Sequence, residues 1–253
     1  MYTSEHHTLD DDAIRALLAA PFAGDLVTTG PDGLAATRLP FAYDPDAGEL
    51  GTLCTHVSLV NPQSQASGEA LVILTGPQAY VCSQWQLPDP RSLAIPTWDY
   101  VTVHAWGELA VDPDPAAVKA GLDLMTDEFG RAYHDDFRAD KMPRPALEKM
   151  MRAIADVRVR VTRWQGKAKM SQNRPPVVVE RIADSLALRG EREAAQWYRE
   201  RSLPRAQAKK ESVDSIRADV ILRTATKRGT GSVAESSPTL TGMDAATERS
   251  MTV

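Results

Sequence analysis

Three stretches of this 253-residue chain carry residue types able to do chemistry. In Thr52-Leu53-Cys54-Thr55-His56-Val57-Ser58-Leu59-Val60-Asn61-Pro62-Gln63, a histidine stands just past a strand and is followed by Ser58 and Asn61. An imidazole that titrates near neutrality, beside a hydroxyl and an amide, suits a phosphate, a flavin or a metal. Its plainer role is to satisfy the turn ahead of Pro62. In Ile95-Pro96-Thr97-Trp98-Asp99-Tyr100-Val101-Thr102-Val103-His104, aromatics, an acid and a histidine gather at a strand start. Tyr100, Thr102 and His104 alternate and so share one face. Flat rings beside polar groups fit a planar cofactor or a wet interface, and a packed barrel strand is the plainer account. In Gly166-Lys167-Ala168-Lys169-Met170-Ser171-Gln172-Asn173-Arg174, two lysines share a strand face ahead of a polar corner. That corner can close over an anion or stand as a solvated lysine pair and turn. His134 with Asp135 and Asp136 reads as a solvated helix end, and His6-His7 as terminal surface. No H-E-x-x-H, G-x-S-x-G or nucleotide-binding glycine motif is present.

The elements that must position these residues follow from periodicity and turn chemistry. A first helix carries Leu9, Ile14, Leu17 and Leu18 as its apolar stripe, with Thr8 and Asp11 as a capping box, and stops before Pro21. Short strands follow over residues 22–29, 34–43 and 49–54, separated by Gly30-Pro31-Asp32-Gly33 and Asp44-Pro45-Asp46-Ala47-Gly48, a β-meander. Further strands are expected over 70–75, 78–83 and 100–111. Helical spacing links Val118, Leu122, Met125, Phe129 and Tyr133, and again Leu147, Met150, Met151, Ile154 and Val157. Strict alternation over Val157–Val161 marks a half-buried antiparallel strand. Residues 179–189 read as a helix ended by Gly190, and 191–201 as an exposed charged helix. The sum is an α+β class, an antiparallel barrel with helices at its edges.

Composition bounds the rest. Apolar residues make up 43% and charged residues 25%, so most of the chain is globular. A chain of this size buries enough surface to hold a core unaided. The formal charge of −5 disfavours DNA binding through a general field. Cys54 and Cys82 have no metal-ligand spacing, which points to a reducing compartment. With no apolar run near the ~18 residues of a membrane span and no signal-peptide profile, the expected location is cytoplasmic. Residues 1–202 form the expected domain; 203–253 lack aromatics, carry +2, and read as a disordered tail with room for a helix over 206–223.

Motifs along residues 1–190 resemble the PaiB-like proteins in order and spacing. They include Pro21-Phe22-Ala23, Leu39-Pro40-Phe41, His56-Val57, Asn61-Pro62-Gln63, Gly76-Pro77-x-Ala79-Tyr80-Val81, Trp85, Pro96-Thr97-Trp98-x-Tyr100-x-x-Val103-His104 and Gly166-Lys167-x-Lys169-x-Ser171-Gln172-Asn173. The resemblance implies an FMN-binding split β-barrel that pairs as a homodimer, with its cofactor pocket at the subunit interface. Members are commonly described as FMN-binding negative transcriptional regulators, and the fold also hosts flavin-dependent oxidoreductases. This chain departs from the pattern where the family carries arginine and tryptophan, having Leu59 and Ser64, and Arg38 stands where the family has histidine. Losing a guanidinium from a buried phosphate costs about 2–5 kcal/mol, which Arg38 would offset.

A haem-holding branch resembles the same template: the piperazate synthases, which cyclise N5-hydroxy-L-ornithine to L-piperazate with loss of water. That resemblance implies haem b as the preferred cofactor, with FMN the alternative, and a small amino-acid substrate. His56 would be the iron ligand and His104 the second choice. Iron would polarise the hydroxylamine oxygen as a Lewis acid, and the α-amine would close the ring. Lys167, Lys169 or Tyr100 would hold the carboxylate or move a proton. Arg38, Ser58, Asn61, Trp98, His104, Ser171, Gln172 and Asn173 complete the implied cofactor set around His56.

Overall fold

The computed structural model describes residues 1–86 and 94–229, with side chains described through 218 apart from the same gap. The chain falls into two compact units, Met1–Lys210 and Glu211–Val253. The first is a six-stranded antiparallel barrel with helices, so the α+β class holds. Its strands are β1 (Phe22–Gly30), β2 (Gly33–Asp44), β3 (Thr52–Ser58), β4 (Gly68–Val81), β5 (Thr97–Asp112) and β6 (Ile154–Lys169). They close in the order β1-β2-β3-β6-β5-β4, with β4 returning to β1. Leu26, Phe41, Leu53, Val57, Val72, Val101, Val103, Val157 and Val159 fill the interior and are almost wholly buried. Apolar burial of this kind is the dominant favourable term holding the barrel.

Helix α1 (Asp11–Ala19) lays Ile14 and Leu18 into that core. Its cap is Asp10, whose side chain accepts from the Ala13 N–H at 2.8 Å, and not the expected Thr8. Thr8 instead pairs with Lys167 in an isolated bridge, which ties residues 1–9 to β6. Gly166 makes room for the helix: a Cβ there would meet Ile14 at 2.7 Å and Leu9 at 2.8 Å.

Three further expectations are corrected. The two strands expected over 70–83 are one strand, β4, with a register shift between Thr75 and Gln78. Pro77 cannot donate to the ladder, so the irregularity falls there. The helical spacing read through Val157 stops earlier. Helix α4 (Arg144–Met151) ends before Ile154, which opens β6. Helical spacing and strand alternation coincide over such short apolar runs, and pairing with β3 and β5 settles which one forms. Finally, 191–201 is no exposed helix: Ala194, Ala195 and Tyr198 are buried.

The remaining helices are α2 (Ser83–Gln86), α3 (Pro115–Tyr133), α5 (Pro176–Leu188), α6 (Arg192–Trp197) and α7 (Leu203–Gly229). Between α6 and α7, residues Tyr198–Ser202 form a π-helical turn. Pro204 explains it. Proline lacks the N–H that closes an α-helical ladder and crowds the carbonyl four residues back, which widens the preceding turn. The helix begins at Leu203, packed on the core, with Ala206 buried. The compact domain therefore runs past the 202/203 boundary drawn from composition. The end of the tail, from residue 230, lies outside the described residues.

Strands β5 and β6 are pinned by close approach at Gly107, where a Cβ would sit 2.2 Å from the Arg160 carbonyl oxygen. Gly107→Ala forces backbone apart. The expected outcome is a loss of about 1–3 kcal/mol, read as a lower urea midpoint at unchanged slope; an unshifted midpoint would show that the ladder yields freely.

Candidate functional site

Alternation along β5 sends Val101, Val103 and Ala105 inward and Trp98, Tyr100, Thr102, His104 and Trp106 outward. The pairings extend this outer face. Lys169 stands opposite Tyr100, Lys167 opposite Thr102, and Gln165 opposite His104. A row continues from His104 through Ile73 and Asp25 to Arg38. Tyr100, Trp98, His104, Lys167, Lys169 and Arg38 therefore lie on one surface. The Lys167 ammonium sits 5.4 Å from the Tyr100 ring centre and donates to the Tyr2 carbonyl at 3.0 Å. Arg38 is occupied: it pairs with Asp25 at 3.2 Å and donates to the Ala23 carbonyl at 3.3 Å. The Trp98 indole donates to Gln78 at 2.9 Å, and its ring tilts over Tyr80.

The polar corner after β6 turns inward. Asp99 is 1% exposed, and a carboxylate so sealed must be paired. Ser171 donates to its Oδ2 at 2.7 Å, the Tyr198 hydroxyl donates to the same oxygen, and Lys169 Nζ lies 3.3 Å from Oδ1. Burial, and then the charge of Asp99, drive the Tyr198 hydroxyl far above the usual phenol range. Lys169 also donates to Thr97 and to the Trp98 carbonyl, so its three N–H groups are all engaged. Gln172 donates to the carbonyls of His6 and Ala168 and accepts from the Met170 N–H. Ser171, Gln172 and Lys169, expected to face a ligand, thus also hold internal partners.

What remains open lies beside them. A pocket of about 250 Å³ is lined by His7, Thr97, Lys169, Asn173 and Arg174 among others. Asn173 and Arg174 are exposed, and Arg174 makes one long bond to Gln86 at 3.4 Å. His7, read from sequence as terminal surface, stands near Lys167 and Lys169; burial and then those two charges lower its pKa. Asp99, Arg174, Tyr198 and His7 lie outside the set of site residues expected from sequence. Only the acid within an aromatic strand offered a signal; Tyr198 lies 99 positions from its partner.

The His56 segment is elsewhere. His56 lies within β3, not past a strand, and pairs in register with Asp156 of β6. Its Nδ1 and Asp156 Oδ1 are both buried without a hydrogen-bond partner among the described residues. Helix α3 presses on this pair, since a Cβ at Gly121 would sit 1.9 Å from Asp156 Oδ1. Arg158 donates to the other Asp156 oxygen at 2.8 Å. Burial raises the Asp156 pKa and lowers that of His56, and it pushes the Cys54 thiol up to about 11. Ser58 is exposed at the strand end. Asn61 takes the turn role: it accepts from the Gln63 N–H at 2.9 Å and donates to Thr37 at 3.1 Å. Gln63 is buried and donates to Leu26 and Thr28 at 3.0 Å. Asp156 and Lys169 bracket most of β6, on the order of 40 Å measured along the strand. The expected site residues thus form two groups at opposite ends of one strand.

Comparison with known proteins adds to this geometry. The family model described as "Putative FMN-binding domain" matches residues 1–163. The chain is 28% identical over 155 residues to the Protease synthase and sporulation protein PAI 2 of Bacillus subtilis, spanning 60% of this chain and 72% of that one. It is 26% identical over 184 residues to an uncharacterized protein of Aspergillus fumigatus, spanning 55% and 70%. Among solved structures it is similar to the FAD and heme binding protein from Mycobacterium smegmatis, with 19% identity, 65% and 74% coverage, and a TM-score of 0.49.

The histidines set a pH dependence. His7, His56 and His104 each have burial as the main cause of a pKa below the ordinary 6.5. Below that value the unfolded chain binds more protons than the folded one, so stability is full above about 6.5 and falls as pH drops toward the folded values. Asp156, raised by burial, acts in the opposite sense above its ordinary 3.8. Thermal midpoints measured across pH 7 to 5 should fall, and His56→Gln should flatten part of the slope. Superimposable slopes for the two proteins would remove His56 from the account.

Proposed function

Since the chain belongs to the FMN-binding domain family, as a homologue of PaiB, we propose that it is a flavin mononucleotide-binding protein that completes its site as a homodimer. The observation that carries this reading is the cationic end of the outer face, where Lys167 lies over the Tyr100 ring and, close by, His7, Lys169 and Arg174 line the 250 Å³ pocket. Residues of this kind suit a phosphate-bearing planar group: Lys167 and Arg174 as cations for the dianion, and the Tyr100 and Trp98 rings as flat surfaces. A bound flavin would supply electron- or hydride-transfer chemistry. Among the described residues Lys167 donates only to the Tyr2 carbonyl, leaving two N–H donors for a phosphate, whereas Lys169 holds Asp99 and fixes the strand end. Asn173 adds an amide. The separation of His56 and Ser58 from this end of β6 supports the dimer, because a second copy can bring the two groups to one ligand.

A negative transcriptional regulator of the PaiB type and a flavin-dependent oxidoreductase are both compatible with a held flavin. The haem-dependent cyclisation of N5-hydroxy-L-ornithine stands second. What favours it is His56, a partly buried imidazole whose Nδ1 has no hydrogen-bond partner among the described residues and which pairs in register with Asp156. Against it, the described neighbours of His56 include Asp156 and Arg158, where a porphyrin asks for apolar walls.

The absorption spectrum of the purified protein separates the readings. Paired flavin bands, with occupancy reduced about tenfold by Lys167→Gln or Arg174→Gln, are expected; tenfold corresponds to about 1.4 kcal/mol of binding. A single Soret band lost in His56→Ala would instead establish the haem reading and overturn the flavin one.

A further inference from the structure

On the far side of the Ser171-Gln172 corner, a second pocket of about 280 Å³ opens between α1, the end of β6 and the π-helical turn. Its walls include Leu9, Ala13, Ala168, Trp197 and Pro204, which make an apolar trough. Its rim is charged in both senses. Arg201 and Arg205, four residues apart, lie on one side of the helix; Asp10 and Glu200 also line the pocket. Among the described residues neither arginine has a carboxylate partner, and Arg201 rests 5.8 Å from the Trp197 ring centre. Asp10 uses one oxygen to cap α1, and Glu200 uses one to accept from Gln196 at 2.9 Å, so each keeps an oxygen for a cation.

The floor supplies the independent sign of a ligand. Ser202 lines this pocket, is 1% exposed, and its hydroxyl has no hydrogen-bond partner among the described residues. Buried hydroxyls are nearly always paired, and an unpaired one calls for a missing partner. The hydroxyl belongs to the widened turn that Pro204 imposes, and π-turns inside helices recur at functional sites.

We propose that this pocket binds a small amphipathic zwitterion, a free α-amino acid with an apolar side chain. A carboxylate meets Arg201 and Arg205, and the Ser202 hydroxyl, sealed beneath the pocket, turns to reach it. An ammonium meets Asp10 and Glu200. The apolar side chain lies along Trp197, Pro204 and Ala13. The balance of two cations against two anions gives no preference for a simple anion or a simple cation, so both ligand charges are required. The volume suits a single amino acid, at the lower end for small-molecule sites. The site shares no proposed ligand contact with the flavin pocket and does not rest on the flavin reading.

Isothermal titration calorimetry on the full chain tests it, with L-leucine and L-phenylalanine as probes and isovalerate and isoamylamine as controls that each lack one charge. Saturable 1:1 binding of at least one amino acid is expected, at least tenfold tighter than either control. Arg205→Gln, at an exposed position, should weaken it at least tenfold while leaving the far-UV circular dichroism and the bound-chromophore spectrum unchanged. No heat with either amino acid, equal binding of isovalerate, or undiminished binding by a folded Arg205→Gln would each overturn the proposal.

Discussion

A carboxylate taken out of water is tolerable only when its charge and lone pairs are met, and Asp99 is the place where this protein accepts that constraint. Its partners come from three separate parts of the chain: Lys169 from the end of β6, Ser171 from the turn after it, and Tyr198 from the π-helical turn. Removing one partner of a buried ion pair typically costs about 3–5 kcal/mol, so the corner clamps the C-terminal helices to the barrel. The same clamp fixes the walls of both pockets. Ser171 lines one and Gln172 the other, and Gln172 also holds the His6 carbonyl that carries the N-terminal segment past β6.

A second constraint sets the chemistry of the outer face. The β5–β6 ladder slips between Trp106 and Gly107, where Gly107 pairs with Val161 and Trp106 with Arg163, leaving Thr162 as an extra residue. Because side chains alternate with period two, one extra residue exchanges inward and outward positions. Before the slip Arg158 and Arg160 point away from the core, and after it Arg163, Lys167 and Lys169 do. Without the bulge, Lys167 and Lys169 would face the barrel interior and no cationic patch would exist beside Tyr100.

Local signals foretold much of this. The shared face of Tyr100, Thr102 and His104 and the paired lysines followed from alternation alone, because a strand's side-chain period is fixed by its backbone. The turn role of Asn61 ahead of Pro62 was also legible. The fate of Ser171, Gln172 and Lys169 was not. Whether a polar side chain faces a ligand or an internal partner depends on what packs against it, and Tyr198 reaches Asp99 only once α6 has docked. Likewise, His56 and Lys169 read as members of one site by family motif, yet the length of β6 holds them apart within one chain.

The sequence by itself determined the α+β class, the antiparallel strands, the turns and the PaiB-like family, since these rest on short-range periodicity, turn chemistry and motif order. Only the tertiary structure decided which polar groups are spent and which are free. It assigned Lys169 to Asp99, left Lys167 and Arg174 open, buried the Asp156–His56 pair beneath Gly121, and widened a helical turn over an unpartnered Ser202. The physical reason is that desolvation and pairing are properties of contacts between distant segments, which no local window of residues contains.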